Sequence, residues 1–285
     1  MANRVVKSQE PLIASEHERA RLKEQRKEEQ RKRQSDSLEE ARLYLIQDNP
    51  VQAVEVAFRT LQSSATVFGE NSIELMPVYF LLADANLKLG RQKKAEEFLV
   101  SAKWNLLKHQ PSSTEAAAEG GSEGAVPQSV LSNLQSRLHK SFGTLFTELG
   151  RYDEALKEIT ENIYLESLAK GPEHYSLCKS YFIMGRIFQL KDRPLEAEAC
   201  YLQVPSIWRK YLEAPEELAR INVVEMEESK SDFQHILEFQ TAQNHGEETD
   251  ETIFVSKAFS DLEDAIIAKR DKRRLSDEYE DSEGM

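Results

Sequence analysis

Four alanines, Ala53, Ala95, Ala155 and Ala197, each follow a turn signal, and their spacing constrains the fold more than any other feature of this chain. The intervals between them are 42, 60 and 42 residues. A fixed period of this length marks stacked supersecondary units, each too small to bury its apolar face alone. The clearest unit surrounds Leu149-Gly150-Arg151-Tyr152-Asp153-Glu154-Ala155. Gly150 can take the left-handed conformation that ends a helix. Tyr152 suits the elbow, and Ala155 lets two helices approach closely. Phe142-Gly143 and Phe146 upstream complete a helical-hairpin pattern.

The same order of small residue, large aromatic, turn and alanine recurs. Leu82-Ala83, Gly90 and Ala95 repeat it, as do Gly185, Phe188, Pro194 and Ala197; Ala41, Tyr44, Asp48, Pro50 and Ala53 form a weaker copy. Asn86 stands in the slot of Phe146 and Phe188. The order is similar to that of the tetratricopeptide repeat (TPR). The odd interval contains Pro111-Ser112-Ser113-Thr114 through Ala125-Val126-Pro127, which has almost no large apolar residue. Removing an insertion of roughly 18 residues there restores the period. Gly69 and Gly171, 102 residues apart, mark equivalent loops. The expected fold is all-α, a TPR superhelix of four hairpins with charged terminal extensions.

That organisation divides the chain into a charged arm (1–34), repeats one and two (35–110), a low-complexity insertion (111–127), repeats three and four (128–212), a helical capping segment (213–242), and a linker, helix and charged tail (243–285). In the arm, glutamates stand three or four residues before Lys27, Arg31, Lys32 and Arg33, as in a salt-bridge-laced helix. A solvated helix or disordered arm is the plain reading; an electrostatic arm for an acidic partner such as a tubulin surface is the functional one. No fifth turn signature follows Pro215, so 213–242 reads as the cap that ends a solenoid. The net charge of −13 argues against nucleic acid, which needs clustered positive charge. No apolar run reaches membrane-spanning length. Cys178 and Cys200 read as reduced core residues.

Three aromatics, Trp104, Tyr164 and Trp208, fall late in the second helices, where packing against the next repeat is the plain reading; as the sharper reading they are the candidate protein-binding residues. Arg273-Arg274-Leu275-Ser276 resembles a basophilic kinase site, which makes Ser276 a candidate phosphosite. Catalytic chemistry is missing. Gly120-Gly121-Ser122-Glu123-Gly124 spells a nucleophile elbow but lacks the strand and helix that would strain it. There is no phosphate-binding glycine loop, no H-E-x-x-H pair and no cysteine-rich zinc pattern. No cofactor or metal is expected.

From Pro50 to Leu107 the likeness is more specific. Asn71-Ser72-Ile73-Glu74-Leu75-Met76-Pro77-Val78-Tyr79, Leu89-Gly90-Arg91 and Ala95-Glu96-Glu97, continued by Asn162-Ile163-Tyr164 and Ile207-Trp208, resemble the TPR array of the zinc finger MYND domain-containing protein 12 family over about residues 40–212. The block from Glu74 to Trp104 carries most of it. The resemblance implies a non-enzymatic subunit of an axonemal inner dynein arm in a cilium or flagellum. Its expected partners are a tetratricopeptide repeat protein 29-like protein and a dynein heavy chain. The zinc finger of that family's animal members has no counterpart in the 1–34 arm, so no metal-dependent role carries over. A kinesin-light-chain-type adaptor that takes short linear peptides in the concave groove is the main rival. A chaperone cofactor ranks below it, because Leu38 and Asp84 stand where basic and Asn side chains would be needed.

Overall fold

The computed structural model describes residues 16–109 and 126–283, and their side chains from 18 to 109 and from 126 to 272. Every regular element among them is helical. Helices α1 (Glu16–Ile46) and α2 (Pro50–Phe68), α3 (Met76–Lys88) and α4 (Gln92–His109), and α5 (Gln128–Glu148) and α6 (Tyr152–Lys170) pair as hairpins. Helix α7 (Cys178–Leu190) pairs with a broken second helix, α8 (Pro194–Tyr201) followed by α9 (Gln203–Leu212). The charged arm and the first repeat helix are thus one continuous helix, α1.

All four turns close in the same way. The second residue past the helix is left-handed: Asp48 (φ 54), Gly90 (φ 68), Gly150 (φ 71) and Asp192 (φ 57). The next amide reaches back five residues, Asn49 N to Tyr44 O, Arg91 N to Asn86 O and Arg151 N to Phe146 O at 2.8 Å, and Arg193 N to Phe188 O at 2.9 Å. This closure satisfies carbonyls that the helix end leaves without partners. In repeats three and four the turn arginine also lies over the aromatic, Arg151 at 4.3 Å from the Phe146 ring and Arg193 at 5.0 Å from Phe188. Asn86 offers Arg91 no such face and bonds the Leu82 carbonyl instead, at 2.7 Å.

Small residues recur twelve apart across each turn, and all are buried: Ala41 and Ala53, Ala83 and Ala95, Gly143 and Ala155, and Gly185 and Ala197. The loops between repeats match too. Ser72 and His174, 102 residues apart, each accept a hydrogen bond from the amide two residues on and so cap the 3₁₀ turns Ile73–Leu75 and Tyr175–Leu177. The one irregularity is the break at Leu202. Pro205 has no N–H to give the Tyr201 carbonyl, and its ring crowds that turn, so the helix restarts.

A fifth hairpin follows. After α10 (Pro215–Leu218), α11 (Val223–Gln243) packs on α7, and α12 (Asp250–Glu283) packs on α9 and back on α11. Its turn uses the same closure: His245 is left-handed (φ 53), and Gly246 N bonds Thr241 O at 3.0 Å. Residues 213–242 hold α10 and nearly all of α11, the first helix of this further hairpin. Phe233 stacks against Phe259, and Val255, Leu262 and Ile266 are buried in the same core as α7 and α9. Lys269 binds the carbonyls of Leu218, Ala219 and Ile221, which pins α12 to the end of α10.

The first helices of the five hairpins form the inner layer. Each touches the next, α1 to α3, α3 to α5, α5 to α7 and α7 to α11, and α11 in turn touches α1. The inner layer is a closed ring, where an open concave groove is the expectation for four repeats.

Candidate protein-interaction surfaces

Ring closure sets where a partner can bind. Toward the inside, α1, α3, α5 and α11 bring charged side chains close: Arg42, Asp84, Arg137 and Lys140 with Glu225 and Glu228. Burial raises the Asp84 carboxyl against the opposing pull of Arg137 and Lys140. Burial, aided by Arg137, lowers the Lys140 ammonium. Between α7 and α11, Lys179 Nζ lies 2.6 Å from the buried Asp232 carboxylate, and the Tyr175 hydroxyl donates to Glu225 at 3.0 Å. These groups are engaged with one another across the inner face, where α11 lies against both α7 and α1.

The outer layer, formed by the second helices, is different. On α4, Val100, Trp104 and Leu107 follow one another at helical spacing and are 54%, 58% and 50% exposed. Lys108 Nζ lies 5.1 Å from the centre of the Trp104 ring, a cation–π contact at the edge of the stripe. On α6, Tyr164 and Leu168 are also exposed. Trp104 and Tyr164 each stand nine residues after their turn alanine, so they fall on the same outward position of successive repeats. Neither packs into the core. An exposed tryptophan flanked by aliphatic side chains is surface of the kind partners bury.

Trp208 follows the plain reading, packing, and not the protein-binding one. It is fully buried, with Tyr175 at 6.1 Å and Tyr211 at 6.4 Å between ring centres. It follows its turn alanine by eleven residues instead of nine, and two residues turn a helix by roughly 200°. Leu106, at the matching place in repeat two, is buried as well, whereas Ser206, the true counterpart of Trp104, is exposed. Trp208 is core and takes no part in a binding surface. The side chain of Ser276 lies outside the described residues.

Sequence inspection misses a buried polar network at the seam between repeats three and four. Asn162 Nδ2 donates to the Ser136 carbonyl at 2.8 Å and to its hydroxyl at 2.9 Å, and the Ser180 hydroxyl donates to Asn162 Oδ1. Ser136 donates to Glu166 at 2.8 Å, and Lys170 approaches the same carboxylate at 2.5 Å. Burial pushes the Glu166 carboxyl up, but hydrogen bonds from Lys170, Ser176 and Ser136 together outweigh it and bring the pKa down to about 2. The network joins three helices without any sequence motif to announce it. Cys178 and Cys200 are free thiols, and burial raises both, Cys200 to about 11. Among the described residues no helix is long and apolar enough to cross a membrane.

The repeated hairpin and its turn closure define a TPR-like helical-repeat fold, an architecture whose extended surfaces suit protein–protein interaction. Residues 77–102, from the start of α3 into α4, match the sequence profile of the tetratricopeptide repeat. Two solved structures are similar. One is described as a kinesin light chain with nearly identical TPR-like repeats from Podosopora anserina, at 17% identity and a TM-score of 0.45, covering 84% of this chain and 97% of that one. The other is BtubC (BKLC) from P. vanneervenii, at 17% identity and a TM-score of 0.34, covering 88% of this chain and 92% of that one.

Proposed function

We propose that this chain is a non-enzymatic scaffold subunit of an axonemal inner dynein arm. In a cilium or flagellum it would bind a second TPR protein, of the tetratricopeptide repeat protein 29 type, together with a dynein heavy chain. The observation that carries the binding reading is the exposure of Trp104 beside Val100 and Leu107. In the block from Glu74 to Trp104 that resembles the dynein-arm family, Leu75, Met76 and Val78 are buried and explained by packing. Trp104 belongs to the same block and has no packing role. The contact of α11 with α1 narrows the inner groove, which supports binding through the outer helices over a peptide-binding adaptor of the kinesin-light-chain type.

The test is to recover tagged protein from solubilised axonemes and identify what copurifies. An inner-arm dynein heavy chain together with a second TPR protein is the expected result. Trp104→Ala should weaken that association by about 30-fold or more, the scale of a lost aromatic hot spot, with Tm unchanged because the side chain stands in solvent. Recovery of kinesin, chaperones or cytoplasmic cargo without dynein would sink the reading.

A further inference from the structure

We propose that the overhanging part of α1 is a docking site for an acidic polypeptide segment. It goes beyond the scaffold reading and stands without it, because it concerns a different element. From Gln30 onward, α1 lies against α2: Gln30 Nε2 donates to the hydroxyls of Ser63 at 3.1 Å and Ser64 at 3.2 Å, and the buried Gln34 accepts from Ser64 at 2.8 Å. Helix α2 runs antiparallel and ends at Phe68, four residues past Ser64. The residues of α1 before position 26 therefore extend about 15 Å beyond their partner helix, at about 1.5 Å per residue.

The face of α1 that packs on α2 continues into this overhang, and its composition changes. Arg19, Leu22, Lys23 and Arg26 sit there at i, i+3, i+4 and i+7, all exposed, with Leu22 at 52%. Glu24 and Glu28 occupy the other side and are already matched, while Glu18 and Glu29 border the face beside Leu22. Glu24 pairs with Lys27 at 3.4 Å and Arg31 at 3.3 Å, Glu28 with Arg31 at 3.0 Å, and Arg31 reaches Glu74 at 3.1 Å. Arg19, Lys23 and Arg26 make no ion pair with another described residue. A chain of net charge −13 thus carries, on one face of the overhang, three exposed basic side chains bordered by an exposed leucine.

Charge complementarity names the occupant. An extended run of glutamates or aspartates with an interspersed apolar residue touches only one face of a helix, and so meets Arg19, Lys23 and Arg26 with Leu22 at their edge, away from Glu24 and Glu28. A nucleic-acid duplex is wider than the helix and brings its phosphates near both sides, including Glu18, Glu24, Glu28 and Glu29.

The test uses the full chain and a fluorescent poly-glutamate peptide, read by anisotropy at low ionic strength, where such contacts are least screened. Lys23→Glu with Arg26→Glu should weaken binding by roughly tenfold or more. Arg21→Glu with Lys32→Glu changes net charge by the same amount but lies on the opposite face, and should weaken it less than about threefold. All four side chains are exposed, so circular dichroism should show both double variants folded. Equal losses in the two variants would reduce the effect to net charge and overturn the proposal. No binding by the unaltered chain, or equal or tighter binding of a DNA duplex, would overturn it as well.

Discussion

One methyl group suffices to disturb a seam. A Cβ at Gly185 would lie 2.5 Å from Cδ1 and Cε1 of Tyr201, whose ring is held by Phe182 and Phe239 and whose hydroxyl donates to Gln189 at 2.7 Å. At Gly143 the obstacle is Ile159, whose Cδ1 and Cγ1 would lie 2.5 and 2.6 Å away. Gly185→Ala and Gly143→Ala should therefore each cost about 1–3 kcal/mol in urea unfolding. Glu166 gives a pH-dependent counterpart. Its carboxyl is lowered from 4.5 to about 2 in the folded chain, so its contribution is complete above the ordinary value and fades as pH falls toward the folded one. Glu166→Gln should lower the urea midpoint at pH 7, and the gap from the unaltered chain should close between about pH 4.5 and pH 2. Trp104 and Trp208 show what a sequence reveals at this scale. Type and approximate position suggest one role for both, and only counting from the turn alanine separates surface from core.

At the scale of elements, four hairpins are legible because small residues must stand at the crossings and a left-handed residue must end each first helix. The fifth is hidden. Its turn residue, His245, follows Asp192 by 53 positions instead of 42, and no alanine marks the start of α12. Apolar periodicity alone remains, and that does not say which neighbour a helix meets. If α11 and α12 are integral to the fold, Phe233→Ala should destabilise the chain by about 3–5 kcal/mol, as for a large aromatic removed from a core. A detachable tail would leave the main unfolding transition where it was. The break at Leu202 is legible in hindsight from Pro205, whereas the fusion of the charged arm with the first helix is not. The arm has no apolar stripe, and its contact with α2 runs through Gln30 and Gln34.

At the scale of the whole molecule, the repeat period predicts a row of hairpins but not how far the row bends. Curvature accumulates from small rotations at each seam, and those depend on side chains such as Asn162 and Ser136, which carry no periodic signal. The closure of α11 on α1 is their sum, and it moves the open surface to the outer helices. An open solenoid is a row of neighbours that can fray from either end, each unit dependent only on the next. A ring has no end from which to begin. Its last seam joins segments about two hundred residues apart, the kind of distant pairing that slows the search for the native state. Once made, that seam shares its loss among all five hairpins, so the chain yields as a unit or not at all.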